Sequence, residues 1–165
     1  MGTGQTLLTI MAMMMLSRMV LAVNNDNAQS GGSVEMAAYR ITATSLGKSI
    51  IEEATGCAYD QNSDTVGISN VSGFTAPSAL GPKTGEVYPR YNDFDDFNGL
   101  HLVDSLAGSA VFVVDVTVQY VNISSNVITA SSTQTYNKQM TVRVSSKSMT
   151  DTLTFYTVMS YWYFR

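Results

Sequence analysis

Apolar side chains run almost unbroken from Leu7 to Val23 (LLTIMAMMMLSRMVLAV), with Arg18 the one charge among them. A run that is apolar all round predicts a helix covered by lipid or by protein, because a helix lying against water keeps a polar face. At ~1.5 Å rise per residue it is about 25 Å long, and about 35 Å from Met1, enough to span a bilayer core. The chain then turns polar, and residues 24–32 (NNDNAQSGG) predict a hinge or a loosened stretch of helix. Gly31 and Gly32 each cost ~1 kcal/mol relative to Ala inside a helix. Helical periodicity returns over 33–55. Ser33 reads as an N-cap, and Met36, Tyr39, Ala43, Leu46 and Ile50 form a narrow seam that Gly56 brings to a stop. That seam is expected to pack on a sheet of the same chain, with part of its length able to meet neighbouring subunits.

Residues 56–110 hold all three prolines (Pro77, Pro82, Pro89) and no long periodic segment. They predict an irregular connection with short strands or turns that wrap the helix. Strict alternation follows over 111–165, with Phe112, Val114, Val116, Val118 and Tyr120 on one face of the first strand. Residues 127–135 read as a strand or a loop. Met140, Val142 and Val144 mark the inner face of the next strand, and Leu153, Phe155, Thr157, Met159 and Tyr161 that of the last. Successive strands with short turns predict an antiparallel meander. The expected fold is α+β: a long N-terminal apolar helix, loosened near 24–32, then an antiparallel three- to four-stranded sheet on the helix's second half. The expected segments are 1–23, 24–32, 33–55, 56–110 and 111–165.

Three readings of the apolar segment are open. A cleaved secretory signal carries basic residues before the run and a small-x-small site after it. Residues 1–6 hold no Lys or Arg, and Leu21-Ala22-Val23 is a poor cleavage site. A plain membrane anchor fits the length but lacks the basic flanks that orient one. A filament-core helix fits the length, the small residues Gly2, Gly4 and Ala12, and the methionines at 11, 13, 14, 15 and 19, whose unbranched side chains adapt to changing neighbours. Arg18 must snorkel or find a partner. The expected partner is a carboxylate of a neighbouring subunit, or lipid phosphate before assembly.

Composition narrows the chemistry. Net charge is −4, and the nine Lys and Arg form no run, so nucleic acid is not an expected partner. A single Cys57 and a single His101 exclude an intrachain disulfide and a multi-ligand His/Cys metal site within one chain. Both are expected to be structural, His101 half-buried between Leu100 and Leu102. No nucleophile–base–acid set, phosphate loop or haem motif points to an enzyme or a cofactor. The run DFDDFNG clusters Asp93, Asp95 and Asp96, the oxygen donors calcium prefers. Against the helix–loop–helix calcium pattern its glycine falls one place late and Phe97 stands at position five. The expectation is a solvated acidic turn anchored by Phe94 and Phe97, with calcium as the alternative. Asn70-Val71-Ser72 and Asn122-Ile123-Ser124 are glycosylation-type triplets, making Asn70 and Asn122 candidate acceptors.

The layout of apolar N-terminal helix, variable connection and antiparallel sheet resembles the type IV pilin and pseudopilin superfamily. The stretch 93–99 is similar to the acidic-aromatic loop of some minor pilins, and 138–144 to their penultimate strand. The likeness is architectural across the whole chain and its motifs are short. It implies a non-enzymatic structural subunit of an extracellular pilus-like filament, with a membrane-embedded pool before assembly. The implied partners are further copies of itself, the inner or cytoplasmic membrane and the pilus assembly machinery. The implied assembly residues are Met1, Gln5, Leu7, Leu8, Met14, Leu16, Arg18 and Val20. The family's processing site ends in a glycine, with a glutamate a few residues on. One alignment starts the mature chain at Gln5 and places Thr9 where the acid belongs. The preferred one takes Met1 as first residue and places Gln5, a neutral near-isostere, there. Gln5 keeps a hydrogen bond but loses the ion pair to a neighbour's amine. Archaeal pilins and archaellins, which often lack the acid, resemble the chain at this looser level. The alternative role is a minor pilin or membrane-anchored adhesin, binding a ligand through the acidic loop or the C-terminal strands.

Overall fold

A computed structural model of the protein describes residues 2–63, 67–106 and 110–164. Helix α1 covers Thr3–Thr55, and five strands follow: β1 (His101–Leu106), β2 (Ala110–Ser124), β3 (Val127–Ala130), β4 (Asn137–Ser146) and β5 (Leu153–Ser160). The chain divides into two compact units, Met1–Tyr39 and Arg40–Arg165. The first is helical throughout its described residues apart from Gly2. Residues 24–32 are helical too, so the expected loosening is not seen in the backbone and Ser33 is a helix-interior residue rather than an N-cap. Once a helix exists on both sides, each added residue costs only its propensity, not a new nucleus.

The second unit is α+β. Its sheet is antiparallel, ordered β1-β2-β4-β5, with β3 folded back on the end of β2 as a hairpin. The alternation read from sequence holds: Phe112, Val114, Val116, Val118 and Tyr120 are buried, as are Met140, Val142, Val144 and Met159. Strand β1 lies inside the stretch expected to hold short strands or turns, and it joins the edge of the sheet. HLVDSL has little apolar alternation of its own, and it is held by pairing with β2 from His101↔Asp115 to Leu106↔Ala110. The last strand is shorter than expected, ending at Ser160. The next turn begins at Tyr161, whose ring packs among Tyr59, Phe74 and Tyr136.

The part of α1 in this unit presents Ala43, Gly47, Ile50 and Ala54 to the core. A Cβ on Gly47 would come 2.5 Å from Phe155 Cδ2 and 3.4 Å from Val144 Cγ2, so the missing side chain is what lets β5 lie this close. Overpacking of this kind costs ~1–3 kcal/mol. Gly47→Val is expected to lower stability by about that amount, read from the urea midpoint of unfolding.

The connection is built on the sheet rather than loose beside it. Ala58 and Asp93 form a parallel bridge, with Phe94 N–H donating to Ala58 O at 2.8 Å and Ala58 N–H to Asn92 O at 3.1 Å. Asn98 Oδ1 accepts from Val118 N–H at 2.8 Å, and Gly99, at φ +82°, donates to Val116 O at 3.0 Å. The chain just past α1 and the acidic turn are thus clamped together against β2.

Candidate assembly helix and a buried charge centre

Two features of the structure need a chemical explanation. One is apolar and exposed, and the other is charged and buried. The first is the N-terminal part of α1. Every large apolar side chain from Leu7 to Val23 is exposed, Leu8 at 71% and Met15 at 78%. Its most apolar 18-residue window has mean hydropathy 1.9 and none of it is buried, so by length and composition the helix can cross a membrane. The hydroxyls near its start are already satisfied: Thr6 donates to Thr3 O at 2.9 Å and Thr9 to Thr6 O at 2.8 Å. Such back-bonding removes polar groups that an apolar surrounding would penalise. Gln5, Leu7, Leu8, Met14, Leu16, Arg18 and Val20 all stand exposed on this helix, and Met1 lies outside the described residues. A continuous apolar surface of this kind marks an interaction site rather than a finished surface.

The second feature centres on Lys138. Its side chain is completely buried, with Nζ 2.6 Å from Asp95 Oδ1, 2.8 Å from Asp60 Oδ2 and 2.9 Å from the carbonyl of Tyr59. The Tyr59 and Tyr120 rings lie 4.5 Å and 5.3 Å from Nζ. Asp60 also accepts from Thr75 N–H at 2.9 Å, Thr75 Oγ1 at 3.1 Å and Asn62 N–H at 3.1 Å. Burial pushes the Asp60 carboxyl up, but the Lys138 charge and the surrounding donors outweigh it and hold it below the ordinary carboxylate range. Among the described residues, no buried side-chain N or O lacks a partner. Charged groups survive in an interior only on that condition.

The acidic turn expected to be solvated is part of this interior. Asp93, Asp95 and Asp96 are buried, together with Phe94 and Phe97. Asp93 Oδ1 accepts from the N–H groups of Asp95 (3.0 Å) and Asp96 (3.2 Å), while Asp96 Oδ2 accepts from Asn92 N–H (3.1 Å) and Asp93 N–H (3.4 Å). This reciprocal cap closes the short turn over Phe94–Phe97. The three carboxylates are therefore engaged by backbone donors and by Lys138, and among the described residues no group of three His, Cys, Asp or Glu is placed to hold a metal ion. Burial first, then the charge and hydrogen bond of Asp95, push the Asp93 carboxyl up to about 8.

That shift fixes a pH dependence. The folded chain keeps a proton on Asp93 where the unfolded chain has lost it, so this contribution is complete below the ordinary carboxylate value of 3.8 and is lost as pH rises through about 8. Asp96 is raised as well and acts in the same direction, while the depressed Asp60 loses its contribution only in acid, as pH falls through its folded value. Stability is expected to decline between about pH 4 and pH 8. Asp93→Asn keeps the capping oxygen but cannot titrate, so this decline becomes shallower, measurable from urea midpoints across that range.

Other expected positions fall as follows. His101 is exposed rather than half-buried, its Nδ1 2.7 Å from Asp115 Oδ1 across the β1–β2 pair. Alternation on β1 turns it outward although both sequence neighbours are leucines. Cys57 is half-buried, its thiol donating to Glu53 O. Asn70 and Asn122 are both exposed, and Asn70 Oδ1 caps the turn that follows by accepting from Ser72 N–H at 3.2 Å. Sequence reasoning missed Lys138 as a central residue. The signal was there: position 138 is in phase with Met140, Val142 and Val144, so its side chain points inward, and an inward lysine requires acids.

No protein-family model, curated protein or solved structure matches this chain.

Proposed function

We propose that the chain is a structural subunit of a type IV pilus-like filament, assembling through its N-terminal helix. The observation that carries this reading is a helix that is apolar on all sides, exposed along its whole first part, and joined to a body with a core of its own. The helix waits in a membrane and is then bundled with its copies into an apolar core, the bodies facing outward. Relative to water the burial is strongly favourable. Relative to lipid the gain is smaller and comes from packing between helices, which suits adaptable Met and close-approaching Gly. An adhesin or minor subunit is the second reading, favoured by the exposed Tyr156 and Trp162 near the end of the chain. The acidic turn no longer supports it, because its carboxylates face inward.

Electron microscopy of sheared cell-surface material tests the proposal. Fibres in which this chain is the dominant protein support a major subunit, and a scarce chain at fibre tips supports the second reading. A chain absent from surface fibres defeats both. Within the filament Arg18 meets a neighbour's carboxylate. Arg18→Leu is expected to reduce the yield of sheared fibres several-fold while the membrane pool persists, since it leaves the neighbour's carboxylate buried without its partner. Unchanged fibre yield would reject the pairing role.

A further inference from the structure

We propose that Lys138 and Asp95 become joined by an intramolecular amide bond between Nζ and Cγ. The two side chains are 0% and 3% exposed, and Nζ already sits 2.6 Å from Asp95 Oδ1. Holding two reacting groups in one place replaces a bimolecular encounter by an effective concentration of about 10⁵ M or more. The surroundings are those a condensation needs. Tyr59 and Tyr120 wall the amine with their rings, and its access to water is closed.

Each group around the pair has a part to take. Asp60 Oδ2, 2.8 Å from Nζ, accepts the first ammonium proton. The Asp60 carboxyl lies below its ordinary range, so the neutral amine is a minor form that the addition step draws off. Asp93, hydrogen-bonded to Asp95 and raised by burial so that it carries a proton near neutrality, delivers that proton to the Asp95 carboxyl. The neutral amine then adds to Cγ. A second proton leaves Nζ, the C–O bond breaks, and the oxygen departs as water. Counted overall, two protons leave Nζ and one oxygen leaves Asp95. Asp60 and Asp93 return to their starting states, and no oxidant, metal or other reactant enters. Asp95 rather than Asp60 is acylated because the Asp93 proton goes to the Asp95 carboxyl.

The bond would tie the acidic turn, ahead of β1, to the first turn of β4. The inference is independent of the filament reading, since it concerns the body alone. The test is the intact mass of the full chain, purified in detergent and then denatured. The expected mass is that of the polypeptide less one water. Trypsin cuts after Arg90, Lys138 and Arg143 in an unlinked chain. The bond blocks cleavage at Lys138 and yields residues 91–143 as one looped peptide less one water. A branched peptide joining 49–83 to 91–143 would overturn the assignment to Asp95 in favour of Asp60. The full polypeptide mass, with 91–138 and 139–143 recovered separately, would show an ion pair only and end the proposal. The wild-type chain decides the matter, so the test does not depend on a variant folding. Asp93→Asn, which keeps the cap, is expected to leave a larger unlinked fraction at a fixed time after synthesis. An unlinked fraction equal to wild type would remove Asp93 from the mechanism.

Discussion

A chain lacking residues 1–39 is expected to be a water-soluble monomer, whereas the full chain is polymeric or requires detergent. The expectation follows from where apolar surface lies. Residues 40–165 carry their own core, and the start of their helix is pinned by Arg40, whose Nη2 contacts both Asp151 oxygens at 3.1 and 3.2 Å. The residues removed carry the long exposed run from Leu7 to Val23. About ten large apolar side chains at ~1.5–3 kcal/mol each amount to on the order of 15–30 kcal/mol of unfavourable exposure in water. No monomer with that helix bare competes with one whose helix is covered. Size-exclusion chromatography with light scattering checks both forms. A full chain that runs as a detergent-free monomer would remove the basis of the assembly proposal.

The largest single-residue effect is expected at Lys138. Lys138→Met keeps most of the volume but leaves Asp60 and Asp95 buried without Lys138, which is the counter-charge in an unlinked chain and the amide partner in a linked one. Removing one partner of a buried ion pair costs ~3–5 kcal/mol, because the surviving charge has lost both water and its partner. A domain with a total stability of about 5–15 kcal/mol is left marginal by such a loss. The direction with pH discriminates this cause from a packing defect. Without the ammonium, the Asp60 carboxyl loses the charge that offsets its burial and rises, so the variant is expected to regain more stability than the wild type as pH falls toward about 5. A simple cavity would show only the pH dependence of the wild type. Unfolding in urea at neutral and acidic pH measures it, and a loss below about 1 kcal/mol at neutral pH would show that the ion pairs contribute little.

What was readable from residue order was whatever repeats along the chain. Continuous apolarity over Leu7–Val23 specified a helix with no polar face. Period-two alternation specified which sides of β2, β4 and β5 face inward, and Phe94 and Phe97 were legible as anchors of their turn. These are local patterns, and each side chain's direction follows from the period of its own element. Where local preference was weak, neighbours decided. Residues 24–32 take the helical state of their flanks, and His101–Leu106 becomes a strand because β2 offers an open edge. The acidic turn and Lys138 belong to a different class. A run of aspartates reads as a solvated surface, and a lone lysine at a strand start reads as an end residue. Only when the chain past α1 and the acidic turn are clamped over β2 and β4 do Asp60, Asp95 and Lys138 come within hydrogen-bond distance. Charges separated by long stretches of sequence lower each other's burial cost only through that convergence, and a Coulomb partner leaves no periodic trace in the residues between.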